Sequence, residues 1–186
     1  MTIDQSLAEM MAATLPSSFL MWIKRDDARF ICQTCPMSLS VTSGPWDSST
    51  INKWLHETVI PIRVATSGKR GPLVQSLWFV YHSGSLWCAT QGGSTIAKRV
   101  RKNPVIGWEV SADSPPYRGV RGRGTVKIID DPHNAGEVLR TLIAKYGQSG
   151  TELEDWLLSR VSTEVALQID NLEVVSWDYS PRMKND

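Results

Sequence analysis

Cysteine is scarce in this chain of 186 residues, and its three cysteines are too few for a disulfide framework. Two of them, Cys32 and Cys35, form a lone C-x-x-C motif, which is typical of half a zinc site or of a redox pair. A zinc site needs two further ligands, and none of the three histidines lies at a ligand spacing from the pair. We therefore favour two ordinary cysteines, no metal, and a reducing compartment such as the cytoplasm.

The chain also lacks long apolar runs and an excess of either charge. No stretch approaches the ~20 apolar residues of a membrane-spanning helix, and the acidic Asp4 stands where a signal peptide carries basic residues. The net charge of +1 gives no electrostatic case for binding to nucleic acid or to an acidic membrane. We therefore expect a cytoplasmic protein with neither kind of partner.

The first 47 residues differ in pattern from the rest of the chain. Residues 38–49 are rich in serine, threonine, glycine and proline, which is typical of a linker. A helical pattern then begins, with Ser48 or Ser49 as its cap. We expect a partly ordered N-terminal arm over residues 1–47 and one domain over residues 48–183.

The remaining pattern is dominated by short strands. Alternating or continuous apolar runs predict seven of them, at residues 60–65, 73–81, 86–90, 105–111, 117–130, 165–169 and 174–177. Few helices separate these runs, so the sequence favours an antiparallel barrel that is closed or nearly closed. We expect the 73–81 strand to be buried on both faces, and the apolar residues of a helix after Thr151 to face inward.

The stretch from residue 72 to 104 combines features that suit binding of an anion. A polar turn at 82–85 joins two strands, and Gly92 and Gly93 then allow close approach of a ligand to the backbone. Ser94 caps a short basic helix, and Lys98 follows one turn later on the same side. Hydroxyl and ammonium can therefore reach one anion, while we expect the other basic residues of the helix, Arg101 and Lys102, to be solvated.

Four segments together resemble the pyridoxamine 5′-phosphate oxidase-related family of FMN-binding split barrels. They are LWFVYHSGSLWCAT (77–90), the serine, lysine and Asn-Pro of the basic helix (94–104), PPYRGVRGRG (115–124) and SWDYSPRM (176–183). The resemblance covers roughly residues 50–183. It implies a mainly β fold, a six- to seven-stranded antiparallel split barrel with a few peripheral helices. It also implies a homodimer with FMN in two clefts at the interface.

The same resemblance implies a set of cofactor-binding residues. One strand would lie along the flavin, an adjacent strand would touch it, a helix start would hold the phosphate, and the long strand and C-terminal end would close the cleft. The implied residues, in that order, are Val74, Gln75, Ser76, Leu77 and Trp78; Ala89 and Thr90; Ser94, Thr95 and Lys98; and Arg118, Gly119, Trp177 and Arg182.

The chain departs from the namesake enzymes of that family at charged positions. Val74 stands where they carry arginine, and Thr95-Ile96 stand where they carry Arg-Lys, so Lys98 or Arg99 must supply the phosphate charge. The C-terminal Arg-x-His substrate signature is also absent. We therefore expect a relative of the oxidases and no authentic vitamin B6 oxidation.

The function that follows is a flavin-dependent redox reaction on a small molecule. No nucleophile and base stand at a recognisable spacing, so no catalytic residue is assigned and the flavin would carry the chemistry. Two alternatives stay open. A deazaflavin coenzyme or haem would occupy the same cleft, or the basic residues 98–102 and 118–123 would make a non-catalytic binding module.

Overall fold

The structure, a computed structural model, describes residues 39–183. Most of the expected N-terminal arm lies outside this range, as does the Cys32–Cys35 pair, so the arm and the division of the chain at residue 47 stay predictions. Within the described range, no helix has both the length and the apolar character needed to cross a membrane.

Eight strands of the described range form one sheet. Along the sheet the order is β3-β2-β6-β7-β8-β5-β4, each neighbouring pair is antiparallel, and β1 pairs in parallel with β8. This mainly β, antiparallel arrangement with a few helices around it confirms the predicted split barrel. The strands are β1 Ser40–Ser43, β2 Ile62–Thr66, β3 Leu73–Leu77, β4 Val80–His82, β5 Ser85–Gln91, β6 Val105–Ser111, β7 Arg118–Ile129 and β8 Glu164–Asp178.

Four α-helices of the described range lie around this sheet. They are α1 Ser48–Glu57, α2 Thr95–Val100, α3 Pro132–Lys145 and α4 Glu152–Ser159, with 3₁₀ turns at Val161–Thr163 and Ser180–Arg182. The first helix is capped by Asp47, whose Oδ1 accepts a hydrogen bond from the backbone N–H of Thr50 at 2.8 Å. The prediction of a serine cap was therefore wrong by one residue, because the Asp47 carboxylate reaches the free amide first.

The core lies on the concave side of the sheet. Val64 of β2 is opposite Trp108 of β6, and both are almost fully buried. Ile51 and Leu55 of α1 are completely buried in the same cluster, so this helix packs on the core. Burial of such side chains supplies the main stabilisation of the fold.

Residues 73–81 do not form the single buried strand that the apolar run predicts. The run breaks after Leu77, because the Phe79 side chain turns into the core, where it is completely buried. Its backbone N–H donates to the Tyr146 hydroxyl at 3.2 Å instead of to a neighbouring strand. The two halves of the run become β3 and β4, which lie at opposite ends of the sheet order. Val74 on β3 is 61% exposed, so the prediction of burial on both faces was wrong.

Two other boundaries differ from the sequence prediction. The last two predicted strands are one continuous strand, β8. Between the two predicted segments, Asn171 takes the left-handed conformation (φ 53°), which is a local irregularity within this strand. The expected linker contributes β1, and Thr42 Oγ1 donates to the carbonyl of Val174 at 3.1 Å. The sequence did not predict this strand, because β1 is a short edge strand whose mostly exposed, polar side chains are also typical of a linker.

Helix α4 is the one α-helix of the described range in which no residue is buried. Leu153 is 37% exposed and Trp156 is 54% exposed, so the predicted inward orientation was wrong for these two residues. The capping prediction was correct at Thr151, whose Oγ1 accepts from Glu154 N–H. The helix packs on α3 and on the 3₁₀ turn that follows it.

A half-buried lysine ties α3 to α1. Lys145 Nζ donates to the carbonyl of Leu55 at 3.3 Å and lies 4.1 Å from the centre of the Phe79 ring. Burial lowers the pKa of Lys145 from 10.5 to about 8, with a smaller opposing effect of Cys88. Burial also raises the pKa of the Cys88 thiol from 9.0 to about 12.

These shifts predict a rise in the free energy of unfolding between pH 8 and about 9. In this window the unfolded chain keeps the Lys145 proton while the folded chain releases it, so a higher pH favours folding. Above about 9, ionisation of Cys88 in the unfolded chain has the opposite effect. Lys145→Met should flatten the rise, whereas the exposed Lys127→Met should keep it. Urea denaturation across the window measures both, and equal slopes in parent and Lys145→Met would contradict the assignment.

Candidate functional site

A cleft of about 400 Å³ opens where β3 and β5 approach each other beneath α3 and α4. We call it the edge cleft. Its volume falls in the range of cofactor and small-molecule sites. Its lining residues come from β3, β5, α3, α4 and β8 or directly flank these strands and helices or α2: Ser76, Leu77, Trp78, Ala89, Thr90, Gln91, Ser94, Leu139, Leu142, Leu153, Leu157, Arg160 and Glu164.

The strand side of the edge cleft offers backbone groups without a sheet partner. β3 pairs with β2 on one side alone, because it is the last strand of the sheet. β4 covers β5 only as far as Trp87, so residues 88–91 pair with β8 on one side alone. Two strand edges therefore face the opening, and each presents N–H donors and C=O acceptors in alternation. Such a row suits a planar heterocycle that carries both donors and acceptors on its rim.

Hydroxyl groups line the start of α2. Ser94 Oγ accepts from the backbone N–H of Ala97 at 3.2 Å, which confirms the predicted helix cap. Thr90 Oγ1 donates to the same oxygen at 3.2 Å, so the end of β5 and the helix start form one polar corner. The turn between them is fixed by Gly92, whose N–H donates to the carbonyl of Thr163 at 2.8 Å.

Two arginines of this region hold the backbone and are not free for a ligand. Arg101 Nη1 donates to the Gly92 carbonyl at 2.6 Å, and its Nη2 lies 3.2 Å from Asp130 Oδ2. Arg101 is exposed, as expected, but its guanidinium is also bonded to the backbone and to Asp130. Arg99 Nη1 donates to the carbonyls of Thr66 (2.9 Å) and Gly71 (3.2 Å), so it ties the β2–β3 turn to α2. These bonds leave Lys98, which is exposed, as the better candidate for the phosphate charge.

The helical side of the edge cleft is apolar. It consists of four leucines, two from α3 and two from α4: Leu139, Leu142, Leu153 and Leu157. One ion pair lies beside them, in which Arg160 Nη2 is 2.9 Å from Glu164 Oε1. Glu164 is 4% exposed, and the Arg160 guanidinium lies over the Trp156 ring at 4.0 Å, so both charges are held in place.

Trp78 lines the edge cleft and is half-buried. Its ring stacks on Tyr146 with centroids 4.8 Å apart and planes at 11°. Burial raises the pKa of Tyr146 to about 12, so this hydroxyl stays protonated at neutral pH. The Phe79–Tyr146 hydrogen bond and the stacked pair together hold the end of β3 against α3.

The edge cleft brings together six of the fourteen residues that the resemblance implies. These are Ser76, Leu77, Trp78, Ala89, Thr90 and Ser94. Val74 and Gln75 precede them on β3, and Thr95 and Lys98 follow on α2, outside the lining. Which of these residues contact a cofactor stays a prediction.

The other four implied residues lie elsewhere. Arg118 lines a second cleft of about 420 Å³, the tryptophan cleft, with Trp46, Thr50, Lys53, Trp54, Glu57 and Asp178. Its guanidinium lies 5.7 Å from the centre of the Trp54 ring, and Trp46 Nε1 donates to Asp178 Oδ2 at 3.3 Å. Gly119 pairs with Trp177 across β7 and β8, and Arg182 lies over Tyr179 at 5.6 Å. The two clefts share no lining residue.

Sequence reasoning missed the helical wall and the tryptophan cleft. The α3 leucines follow a helical period that is equally typical of ordinary core packing. A usable signal was present on α4, where apolar residues occur in a helix too short to bury them all. Trp46 carried no signal, because it lies in the segment whose composition predicts a linker.

Comparison with known proteins gives one family. A sequence profile described as pyridoxamine 5′-phosphate oxidase matches residues 53–170. No curated protein matches the chain. Among solved structures, the chain is similar to the conserved hypothetical protein Rv2991 from Mycobacterium tuberculosis, with a TM-score of 0.64 and 20% identity over 76% of this chain and 91% of that one.

Two further solved structures share the fold. One is an F420 reductase, with a TM-score of 0.55 and 23% identity over 64% of this chain and 92% of that one. The other is an FAD-binding protein from Mesorhizobium loti, with a TM-score of 0.54 and 18% identity over 70% and 93%. At these identities the likeness concerns the fold.

Removal of the Arg99 guanidinium tests how the β2–β3 turn is held. Arg99→Ala loses two charge-assisted hydrogen bonds to backbone carbonyls, and we expect a cost of about 2 kcal/mol in unfolding free energy. The freed turn contains Lys69 and Arg70, so limited trypsin digestion should cut there faster. Lys98→Ala, one residue away and exposed, is the control and should leave the digestion unchanged. Equal digestion rates for the two variants would show that Arg99 does not hold the turn.

Proposed function

The chain belongs to the pyridoxamine 5′-phosphate oxidase family of split barrels, and from that membership we propose that it is an FMN-binding oxidoreductase acting on a small molecule. The observation that carries the proposal is the edge cleft. Two strand edges with unpaired backbone groups face a corner of hydroxyls there.

The residues of the edge cleft fit the ring and side chain of a flavin. Backbone donors and acceptors of β3 and of residues 88–91 match the alternating rim of the isoalloxazine ring. Ser76, Thr90 and Ser94 offer hydroxyls to a polyhydroxy chain. When bound, the flavin supplies hydride transfer, and the chain supplies position and exclusion of water. Trp78, which lines the cleft, is stacked on the Tyr146 ring.

The phosphate end depends on Lys98. An FMN phosphate carries close to two negative charges, and the neighbouring arginines are committed to backbone carbonyls. Lys98 follows the Ser94 cap by one turn and has an exposed side chain. Its ammonium can therefore reach an anion beside the helix start.

Haem and a deazaflavin coenzyme are the alternatives within the same cleft. The edge cleft contains no histidine, cysteine, methionine or tyrosine among its described lining residues, so it offers haem iron none of the usual axial ligands. A deazaflavin shares the ring shape of FMN, and one of the fold relatives is an F420 reductase. Side-by-side titration of the three cofactors separates these possibilities.

The non-catalytic binding module has less support. Its motivation was the basic cluster at 98–102 and 118–123. Arg99 and Arg101 hold backbone carbonyls, and Arg118 lies in the tryptophan cleft against an aromatic ring. The cluster therefore does not form one surface of free cations.

We also propose that the protein is a homodimer. The outer row formed by Val74, Ala65 and Gly107 is flat and apolar, since each residue is opposite the next across neighbouring strands. Beside it, Arg63 pairs with Glu109 and Asp113, so both signs of charge are available for contact between two copies.

FMN binding is tested with a pair of ligands and a pair of variants. We expect the thermal midpoint of the protein to rise with excess FMN, because the ligand binds the folded state. Lys98→Ala should weaken FMN by roughly ten- to a hundredfold, since one charge-assisted contact is lost. Riboflavin, which lacks the phosphate, should be affected far less.

The matched control is Lys102→Ala, because Arg101 is needed to hold the glycine turn. It should change neither affinity. A protein that stays colourless and gains no thermal stability with FMN would overturn the proposed function. Equal losses of affinity for FMN and riboflavin in Lys98→Ala would show that Lys98 is not the phosphate ligand. That result would leave the proposal of FMN binding itself intact.

The homodimer is tested at the flat row. Ala65→Arg places a long cation in the middle of that row, and we expect a shift from dimer to monomer in light scattering after size-exclusion chromatography. Ala144→Arg makes the same change at an exposed position on α3 and should leave the dimer intact. A monomeric parent protein, or a dimer that tolerates Ala65→Arg, would contradict the proposed interface.

A further inference from the structure

The two sides of the edge cleft differ in chemistry. The strand side carries backbone amides and hydroxyls, whereas the helical side carries the four leucines of α3 and α4. A flavin accounts for the polar side. The leucine wall has no role in holding a ribityl chain or a phosphate, so it is free to select what the flavin reacts with.

The leucine wall offers no free positive charge. Arg160 and Glu164 are the two charged residues of the lining, and they pair with each other at 2.9 Å. The Arg160 guanidinium is further held over the Trp156 ring. An anionic substrate would lose its hydration against leucine side chains and gain no cation in return, which is strongly unfavourable.

We propose that the leucine wall binds an uncharged, largely apolar substrate and rejects phosphorylated ones. This proposal rests on the proposed function, in which a flavin occupies the strand side of the same cleft. Leu153 determines the choice, because it is the most exposed of the four leucines, at 37%. Leu139 and Leu142 of α3 are almost fully buried, so packing holds them in place in the wall.

A matched pair of probes tests this selection. Menadione is an uncharged bicyclic quinone, and pyridoxine 5′-phosphate is a phosphorylated ring of smaller apolar area. Equilibrium dialysis gives the dissociation constant of each probe with oxidised, FMN-loaded protein, so that no turnover is needed. We expect menadione to bind at least about tenfold more tightly than pyridoxine 5′-phosphate. The free-energy cost of burying one unpaired charge is readily larger than this difference in affinity requires.

A charge placed on the wall should reverse the preference. Leu153→Lys brings an ammonium to the lining of the cleft, and it should weaken menadione by about tenfold and strengthen pyridoxine 5′-phosphate by a similar factor. Because Leu153 is partly exposed, the lysine can reach water in the folded protein. Ser159→Lys adds the same charge to an exposed position of α4 outside the cleft, and it should change neither constant.

The outcomes separate the selection from the flavin. Protein that retains no FMN contradicts the proposed function, and the two probes are then dialysed against the colourless protein. A menadione preference that Leu153→Lys abolishes supports the leucine wall in either case. Equal or tighter binding of pyridoxine 5′-phosphate, binding of neither probe, or identical effects of Leu153→Lys and Ser159→Lys would overturn the inference.

Discussion

Burial of Phe79 is the constraint on which the rest of the structure depends. The ring enters the core, and its backbone amide bonds to Tyr146 instead of continuing a strand. The chain therefore cannot carry one strand from Leu73 to His82, and β3 and β4 are placed at opposite ends of the sheet. The barrel is split at this point, and β3 and residues 88–91 are each left with a sheet partner on one side alone.

The edge cleft follows from that split and from what covers it. Strand edges supply backbone groups, and the Thr90–Ser94 corner supplies hydroxyls. Helices α3 and α4 then close the remaining side with leucines. Polar and apolar walls thus come from different parts of the chain, which allows one to hold a cofactor while the other selects a substrate.

The sequence predicted most of the sheet, because strands such as β6 and β7 alternate clearly and end at turn residues. It also identified the polar corner, since Ser94 is a helix cap with a glycine turn before it. It could not predict the break at Phe79, which depends on a distant partner, Tyr146. Nor could it predict the commitment of Arg101 to Gly92, because nothing local distinguishes a bonded arginine from a solvated one.

Hydrogen exchange in the presence of FMN tests the central claim most directly. If the flavin is held by the two free strand edges, backbone amides of residues 73–77 and 88–91 should exchange more slowly when FMN is bound. The hairpin turn at Ser83 and Gly84 does not line the cleft, so its amides should exchange at the same rate with and without FMN. FMN that binds without protecting either strand edge would contradict the account.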